Sequence, residues 1–199
     1  MSHQNVNQTS GNVEIYTPGN LIELAKRVMG PIDLDPASSI IANRTVGAAK
    51  IYTKRGNGLV KPWFGNVWMN HPWGARENKC KAQCDKSICK KRGHHLTKPL
   101  PGNAAWIEKL ITEYQSGNVK QGMCITYAST SEKWFKPLTD YPICFLHGRT
   151  SFLTPKGDEL NQNTKGCAIT YFGEQYSKFD NVFSQVGAVM FPRKFLKVA

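Results

Sequence analysis

Apolar positions along the chain alternate between helical spacing and short continuous runs. The segment "NLIELAKRVMG" carries an apolar face with a 3.6-residue period and stops at Gly30. The segment "NAAWIEKLITEYQSG" repeats this pattern, and Asn20 and Asn103 are the N-caps expected for the two helices. "SIIANRTVGAAKIYT" has weaker helical periodicity.

Short apolar runs between the helical segments predict the strands of a sheet. "IDLD" breaks at Asp35-Pro36, a second strand covers about Gly65 to Met69, and "MCITYAS" forms a third. Further strands are predicted in "YPICFLHG", "SFLTPKG", "KGCAITYFG" and the tail "FSQVGAVMFPRKFLKVA". Because strands alternate with helices, we predict an α/β domain with a largely parallel sheet.

Length and polarity predict one domain with a single insertion. The 199 residues suffice for one hydrophobic core, which we assign to residues 13–199, and the polar residues 1–12 are predicted to be disordered. Residues 76–102 form an insert that is cationic and lacks apolar periodicity. No 18-residue apolar run and no hydrophobic leader is present, so we expect a cytosolic protein.

The charge of the chain favours a polyanionic partner. The formal net charge is +12, and residues 76–98 alone hold eight basic and two acidic side chains. Nucleic acid is the simplest partner for such a charge, an anionic membrane surface is less favoured without a basic amphipathic helix, and plain solubilising charge is the alternative.

Polar breaks follow two of the predicted strands, and ligands bind at such strand ends in parallel sheets. In "VWMNHPWGA", Asn70 offers a carboxamide acceptor, Pro72 holds His71 extended so that its carbonyl can be a second acceptor, and Trp73 offers a face for base stacking. Two acceptors and a flat ring suit the amino group of an extruded base, although a strand-ending turn with a packed Trp gives the same pattern.

The other strand end, "DLDPAS", places Asp33 and Asp35 where they could bind a ribose, an ammonium group or a metal, or could cap the next helix. The sequence has no GxGxxG and no Walker A motif, which disfavours hydride transfer and ATP chemistry.

The insert carries the spacing C-x3-C-x4-C-x4-H-H. Three thiolates and one imidazole complete a tetrahedral zinc site, with Cys80, Cys84 and Cys89 as ligands and His94 or His95 as the fourth, for which we take His94. The alternative is a flexible loop with incidental cysteines. Cys124, Cys144 and Cys167 lie singly in apolar runs and are expected in the core. The candidate DNA-contacting residues of the insert are Arg76, Lys79, Lys81, Lys90, Lys91 and Arg92.

The segments "EIYTP", "IDLDPASS", "GLVKPWFGNVWMNHPWG", "SEKWF" and "GRTSF" occur in an order that resembles the phage-type, Dam-like DNA N6-adenine methyltransferases. The resemblance covers about Glu14 to Phe172. It implies a Rossmann-like class I fold, S-adenosylmethionine as methyl donor, double-stranded DNA as partner, and a phage or prophage protein in the bacterial cytoplasm.

The resemblance also assigns roles to residues. "NHPW" stands where that family has "NPPY" or "NPPF", so Asn70, His71, Pro72 and Trp73 are the candidate catalytic residues. His71 and Trp73 depart from the usual Pro and Tyr or Phe, which leaves cytosine N4 as an alternative target to adenine N6. The candidate cofactor-binding residues are Tyr16, Thr17, Pro18, Asp33, Asp35, Pro36, Ala37 and Ser38.

Two other classes of function remain open at this point. One is a catalytically inactive, zinc-containing DNA-binding protein on the same fold, which would not bind the methyl donor. The other is a metal-dependent nuclease using Asp33 and Asp35, which would cleave DNA with added magnesium or manganese and need no donor.

Overall fold

The computed structural model describes residues 15–154, 156–160 and 165–193, so the prediction for residues 1–12 lies outside the described residues. The helices are α1 (Gly19–Met29), α2 (Ile40–Val46), α3 (Ser87–Arg92), α4 (Asn103–Gln115) and α5 (Tyr176–Phe183), with 3-10 turns at Gly58–Val60 and Lys136–Asp140. The strands are β1 (Leu34–Asp35), β2 (Lys50–Ile51), β3 (Gly65–Met69), β4 (Val119–Tyr127), β5 (Ile143–Leu146), β6 (Phe152–Leu153), β7 (Glu159–Leu160), β8 (Cys167–Phe172) and β9 (Gly187–Met190). Within the described part of the chain, no helix has the length and apolar character needed to cross a membrane.

The two long predicted helices are present, but their expected caps are displaced. The N-cap of α1 is Pro18 rather than Asn20, and the N-cap of α4 is Gly102 rather than Asn103. Asn103 is already helical, and its side chain is engaged in a tertiary contact instead of a local one. The C-terminal prediction for α1 is confirmed, because Gly30 has φ 84° and its N–H bonds to the Lys26 carbonyl.

Seven strands form one sheet in the order β2-β1-β3-β4-β8-β5-β9. The first four pair in parallel, whereas β8 is antiparallel to both β4 and β5, and β9 is antiparallel to β5. Five of the seven strands therefore run in one direction, as predicted for a largely parallel sheet. The hairpin β6-β7 stands apart as a second, two-stranded sheet.

Both faces of the sheet are covered by hydrophobic side chains. Along β3, Val67 and Met69 pack on the face that holds α4, whereas Trp68 packs on the face that holds α1 and α5. All three side chains are completely buried. This two-sided burial explains why the strand is a continuous apolar run without alternation.

The strand order places a topological switch point between β1 and β3, and the region beyond the carboxyl ends of these two strands is the ligand-binding crevice of such sheets. The order β2-β1-β3-β4 reverses at this point, as in doubly wound α/β sheets. The segment after β1 leads into α2, whose Val46 packs on the face with α1 and α5, and the segment after β3 leads into α4, whose Ile107 packs on the opposite face. Because these connections leave on opposite faces, the carboxyl ends of β1 and β3 lie where ligands of doubly wound sheets bind.

Candidate active site

Asn70 is the first residue after β3, at the edge of this crevice. Its side-chain Nδ2 donates to the carbonyl of Ile15 at 3.3 Å and to Thr17 Oγ1 at 3.2 Å. A carbonyl oxygen can only accept, so the amide nitrogen must face Ile15 and the amide oxygen must face away. Oδ1 is buried and has no partner among the described residues. It is an acceptor available to a ligand that donates hydrogen bonds.

The segment around Tyr16 and Thr17 connects the two predicted strand ends. Tyr16 pairs with Leu153 of β6 through two backbone hydrogen bonds of 2.8 and 2.9 Å, and its hydroxyl accepts from Ser39 Oγ at 3.0 Å. Thr17 is buried and contacts Asn70, and Pro18 caps α1. The structure thus brings the "YTP" segment next to Asn70 and next to Ser39, the residue directly after "DLDPAS".

Asp35 ends β1 on the other side of the crevice, next to Pro36. Its Oδ1 accepts from the Ala37 N–H at 3.1 Å, and both this bond and the nearby Ser38 hydroxyl favour the charged form. Burial nonetheless raises the pKa of Asp35 to about 6. No Lys or Arg of the described segments forms an ion pair with it. A buried carboxylate without a cation is suited to a cationic or hydroxyl-bearing ligand group.

Asp33 is a correction to the predicted cofactor set. Its Oδ2 accepts from the Asn66 N–H at 2.7 Å, and its own N–H donates to the Asn66 carbonyl at 2.8 Å. The side chain therefore couples the starts of β1 and β3, because Gly65, with φ 65°, leaves room for it. It is not one of the groups facing the crevice at the strand ends.

His71 is a buried, neutral side chain. Its Nε2 lies 3.1 Å from Asn103 Oδ1, which also accepts from the Gly74 N–H at 3.2 Å. Because that oxygen is an acceptor, Nε2 carries the proton of the neutral ring and Nδ1 is unprotonated. Nδ1 has no hydrogen-bond partner among the described residues. Burial lowers the pKa of His71 to about 4, so the ring is uncharged at pH 7.

Trp73 forms an aromatic cluster with two residues that the motif did not identify. Its ring centroid is 4.3 Å from that of Tyr127, at the end of β4, and 5.1 Å from that of Phe152. Trp73 is half-buried and Pro72 is exposed. Two features of the sequence pointed to these residues. Tyr127 lies in the predicted strand "MCITYAS", and Phe152 ends "GRTSF", one of the segments on which the family resemblance is based. Stacking of Trp73 on a base stays a prediction.

The insert leaves and re-enters the domain at one narrow neck. Gly74 and Asn103 are joined through the backbone at 2.9 Å, and Glu77 and Leu100 form an antiparallel bridge with bonds of 3.0 and 2.8 Å. Gly102 packs directly against the backbone of Ala75 and Arg76, leaving no space for a side chain. Asn103, which the sequence predicted only as a helix N-cap, therefore belongs to the site.

The structure groups the three cysteines predicted as metal ligands with His95 rather than with His94. The potential ligand atoms of Cys80, Cys84, Cys89 and His95 all lie within 4.8 Å of one another. His94 is exposed, and its Nδ1 lies 3.2 Å from the Arg92 carbonyl. The C-terminal turn of α3 at Gly93, with φ 75°, directs the first histidine away from the thiols and lets the second approach them.

Arg92 is a second correction within the insert. Its Nη2 lies 2.7 and 2.8 Å from the two Glu77 oxygens, and only 7% of its side chain is exposed. It therefore stabilises the neck and is not a free phosphate contact. The other predicted DNA contacts, Arg76, Lys79, Lys81 and Lys90, are exposed, and the side chain of Lys91 lies outside the described residues.

Comparison with known proteins identifies the family of the chain. A family model described as DNA N-6-adenine-methyltransferase (Dam) matches residues 8–193. No curated protein and no solved structure matches the chain significantly. Because the match covers nearly the whole chain, including both strand ends and the insert, the chain belongs to the DNA N-6-adenine-methyltransferase (Dam) family.

Proposed function

We propose that the protein transfers a methyl group from S-adenosylmethionine to the N6 amino group of adenine in double-stranded DNA, on a Rossmann-like class I fold and after flipping the base. The observation that carries the proposal is the buried Oδ1 of Asn70 at the carboxyl end of β3, for which the described part of the chain offers no hydrogen-bond partner. Family membership supports the same activity.

Asn70 accepts one hydrogen of the amino group. Its own amide hydrogens are held by Ile15 and Thr17, so the oxygen has a fixed direction before substrate arrives. The His71 carbonyl, held by Pro72, accepts the second hydrogen. Two acceptors stabilise the positive charge that develops on the nitrogen during transfer, and they orient its lone pair towards the methyl group of the donor.

The donor binds across the crevice between β1 and β3. When bound, S-adenosylmethionine supplies a sulfonium methyl group that an amine nitrogen can accept. Asp35 faces a cationic or hydroxyl group of the donor, which offsets the cost of its buried charge. Tyr16 and Thr17 line the other side and connect the donor site to Asn70.

His71 positions the site and does not act as a base. Its Nε2–H is bonded to Asn103, and its pKa of about 4 makes the ring a weak proton acceptor at pH 7. No strong base is required, because the amine attacks before it loses a proton. Trp73, backed by Tyr127 and Phe152, supplies the aromatic face for the flipped base.

The other functions considered from the sequence have less support. A nuclease would need Asp33 and Asp35 free together, yet Asp33 is bonded to the Asn66 amide. The potential metal cluster within the described ranges is formed by cysteines and histidine rather than carboxylates. An inactive binder would have no use for the preorganised Asn70 oxygen.

The test uses purified protein, tritium-labelled S-adenosylmethionine and unmethylated DNA, with separation of the product nucleosides. We expect label on N6-methyladenine, reduced about 100- to 1000-fold in Asn70→Ala, since that is the usual cost of removing one preorganised electrostatic contact. Asn181→Ala, at an exposed position of α5, is the matched control and should retain full activity.

The outcomes separate the alternatives. Label on cytosine N4 would keep the mechanism and change the target base. Absence of label together with absence of donor binding, in protein that is folded by circular dichroism, would contradict the enzymatic proposal and favour the inactive DNA binder.

A further inference from the structure

We propose that Cys80, Cys84, Cys89 and His95 bind one structural zinc ion, and that this ion holds the insert as a DNA-gripping unit without being needed for donor binding. The site is separate from the crevice that holds Asn70 and Asp35. Its existence does not depend on the methyl transfer proposed above.

The distances between sulfur atoms suit a shared metal ion. Cys89 Sγ lies 3.4 Å from Cys80 Sγ and 3.6 Å from Cys84 Sγ. Four ligands about 2.3 Å from zinc in a tetrahedron place sulfurs roughly 3.8 Å apart. A disulfide requires sulfurs about 2.05 Å apart and would leave the third cysteine unpaired. All three cysteines are free.

The backbone of the insert brings these four residues together. The Cys80 N–H donates to the Leu96 carbonyl at 2.8 Å, and the Leu96 N–H returns to Cys80 Sγ at 3.2 Å. His95 is held next to Cys80 by this reciprocal pair. An N–H group directed at sulfur stabilises a thiolate, which is the protonation state that binds metal.

The insert lacks a hydrophobic core of its own. Among residues 76–101 whose side chains are described, Cys89 is the only buried apolar one. Beyond the neck at Glu77 and Leu100, therefore, little buried surface offsets the entropy of ordering. A metal ion supplies that free energy in small segments of this kind. Three thiolates and an imidazole select zinc over magnesium or calcium, which prefer oxygen.

The site lies among the exposed cations of the insert. Lys79 and Lys81 flank Cys80, and Lys90 follows Cys89. A metal ion that holds the cysteines therefore also holds the backbone from which these three exposed lysine side chains extend. Their amino groups are then preorganised for DNA phosphates, which carry most of the affinity in such contacts. Without the ion, the lysines keep their charge but lose their common orientation.

The two adjacent histidines provide a matched pair of variants. Zinc content is measured by mass spectrometry on protein purified without added metal, and affinity by competition with a chromophoric chelator. We expect one zinc per chain in the wild type and in His94→Ala, and at least about tenfold weaker binding in His95→Ala and Cys84→Ser. Replacement of zinc by Co²⁺ should give the visible absorption of a tetrahedral thiolate site.

Two results would overturn the metal assignment. One is loss of zinc in His94→Ala with retention in His95→Ala, and the other is protein that neither contains zinc nor binds it when added. Iron in place of zinc would likewise overturn the identity of the ion.

The role of the ion is tested on the full chain after removal with a chelator. Binding of S-adenosylmethionine should be unchanged by calorimetry, whereas DNA affinity should fall at least about tenfold and recover on adding zinc. DNA binding that is unaffected by removal, or donor binding that is lost with it, would overturn the proposed role. Because zinc content is measured without any reaction, failure of the methyl-transfer proposal would leave this test intact.

Discussion

His71 Nε2 lies 3.1 Å from Asn103 Oδ1, although the two residues are 32 positions apart and the whole insert separates them. The same oxygen accepts from the Gly74 N–H at 3.2 Å. Asn103 begins α4, which packs against the sheet through Trp106 and Ile107. The helix therefore fixes the backbone of the proposed catalytic segment from the far side of the insert.

Replacement of Asn103 by Ala should destabilise the protein. The change leaves the buried Nε2–H of His71 and the Gly74 N–H without their acceptor, and such unsatisfied groups cost about 1–3 kcal/mol each. Urea unfolding should show this loss, with Asn181→Ala, an exposed helical position, as control. An unchanged unfolding free energy would mean that the contact does not hold the strand end.

Stability should fall in acid because of His71. Its folded pKa of about 4 lies below the value of 6.5 for an unperturbed histidine, so the unfolded state binds the proton more readily. The contribution is fully present above pH 6.5 and is lost as pH falls towards 4. Relative to His71→Gln, the wild type should lose about 2 kcal/mol of unfolding free energy between pH 7.5 and 5. If the difference in unfolding free energy between the wild type and His71→Gln did not change with pH, His71 would not be a buried, neutral ring.

Donor binding should weaken in acid because of Asp35. The pKa of this carboxyl is raised to about 6, so the free protein takes up a proton below that pH and loses the charge that faces the donor. Affinity for S-adenosylmethionine, measured by calorimetry, should fall about tenfold between pH 7 and pH 5. Asp35→Asn should bind weakly at both pH values.

Asp33→Asn is the matched control for that experiment. It makes the same chemical change two residues away, at a side chain bonded to the Asn66 amide. It should retain the pH dependence of donor binding. Loss of that dependence in Asp33→Asn, with retention in Asp35→Asn, would reverse the roles of the two acids.

Asp35 has a second, opposite consequence for folding. Because its folded pKa lies above the ordinary value of 3.8, the neutral form is favoured in the folded protein. Its contribution to stability is fully present below pH 3.8 and is lost as pH rises through about 6. Asp35→Asn should therefore increase the unfolding free energy at pH 7, while it weakens donor binding.

Lys90 and Arg92 should differ although both carry one positive charge. Lys90 is exposed, so Lys90→Gln should reduce the slope of log Kd for DNA against log salt concentration by about 0.9 and leave the Tm unchanged. Arg92 is bonded to both Glu77 oxygens, so Arg92→Gln should leave that slope unchanged and destabilise the protein by about 1–3 kcal/mol. Equal changes in slope for the two variants would restore Arg92 as a phosphate contact.

The spacing of residues along the chain was enough to predict features that depend on residues close together in sequence. The spacing of apolar residues predicted α1, α4 and most strands, and β3 has the predicted bounds Gly65–Met69. The helix α5 and the short α3 were missed, because eight and six residues give too little periodicity to recognise. The cysteine spacing located the potential metal cluster within one residue.

Family membership, too, was readable from the ordered segments of the chain, and the family match confirms it. By itself, the sequence thus determined the α/β class, the two polar strand ends, the cysteine cluster and the cationic insert. These follow from residue type and from spacing along the chain, which folding does not change.

Only the tertiary structure decided which side chains are free to act. Asp33 and Asp35 look alike in the sequence, yet Asn66 from another strand engages the first. His94 and His95 are adjacent, and the turn at Gly93 determines which one reaches the thiols. Arg92 is paired with Glu77, whereas none of the residues that the structure describes bonds to the Asn70 oxygen. The physical reason is common to all of them: hydrogen bonds and ion pairs form between segments distant in sequence, and these contacts determine which polar atoms remain available to a ligand.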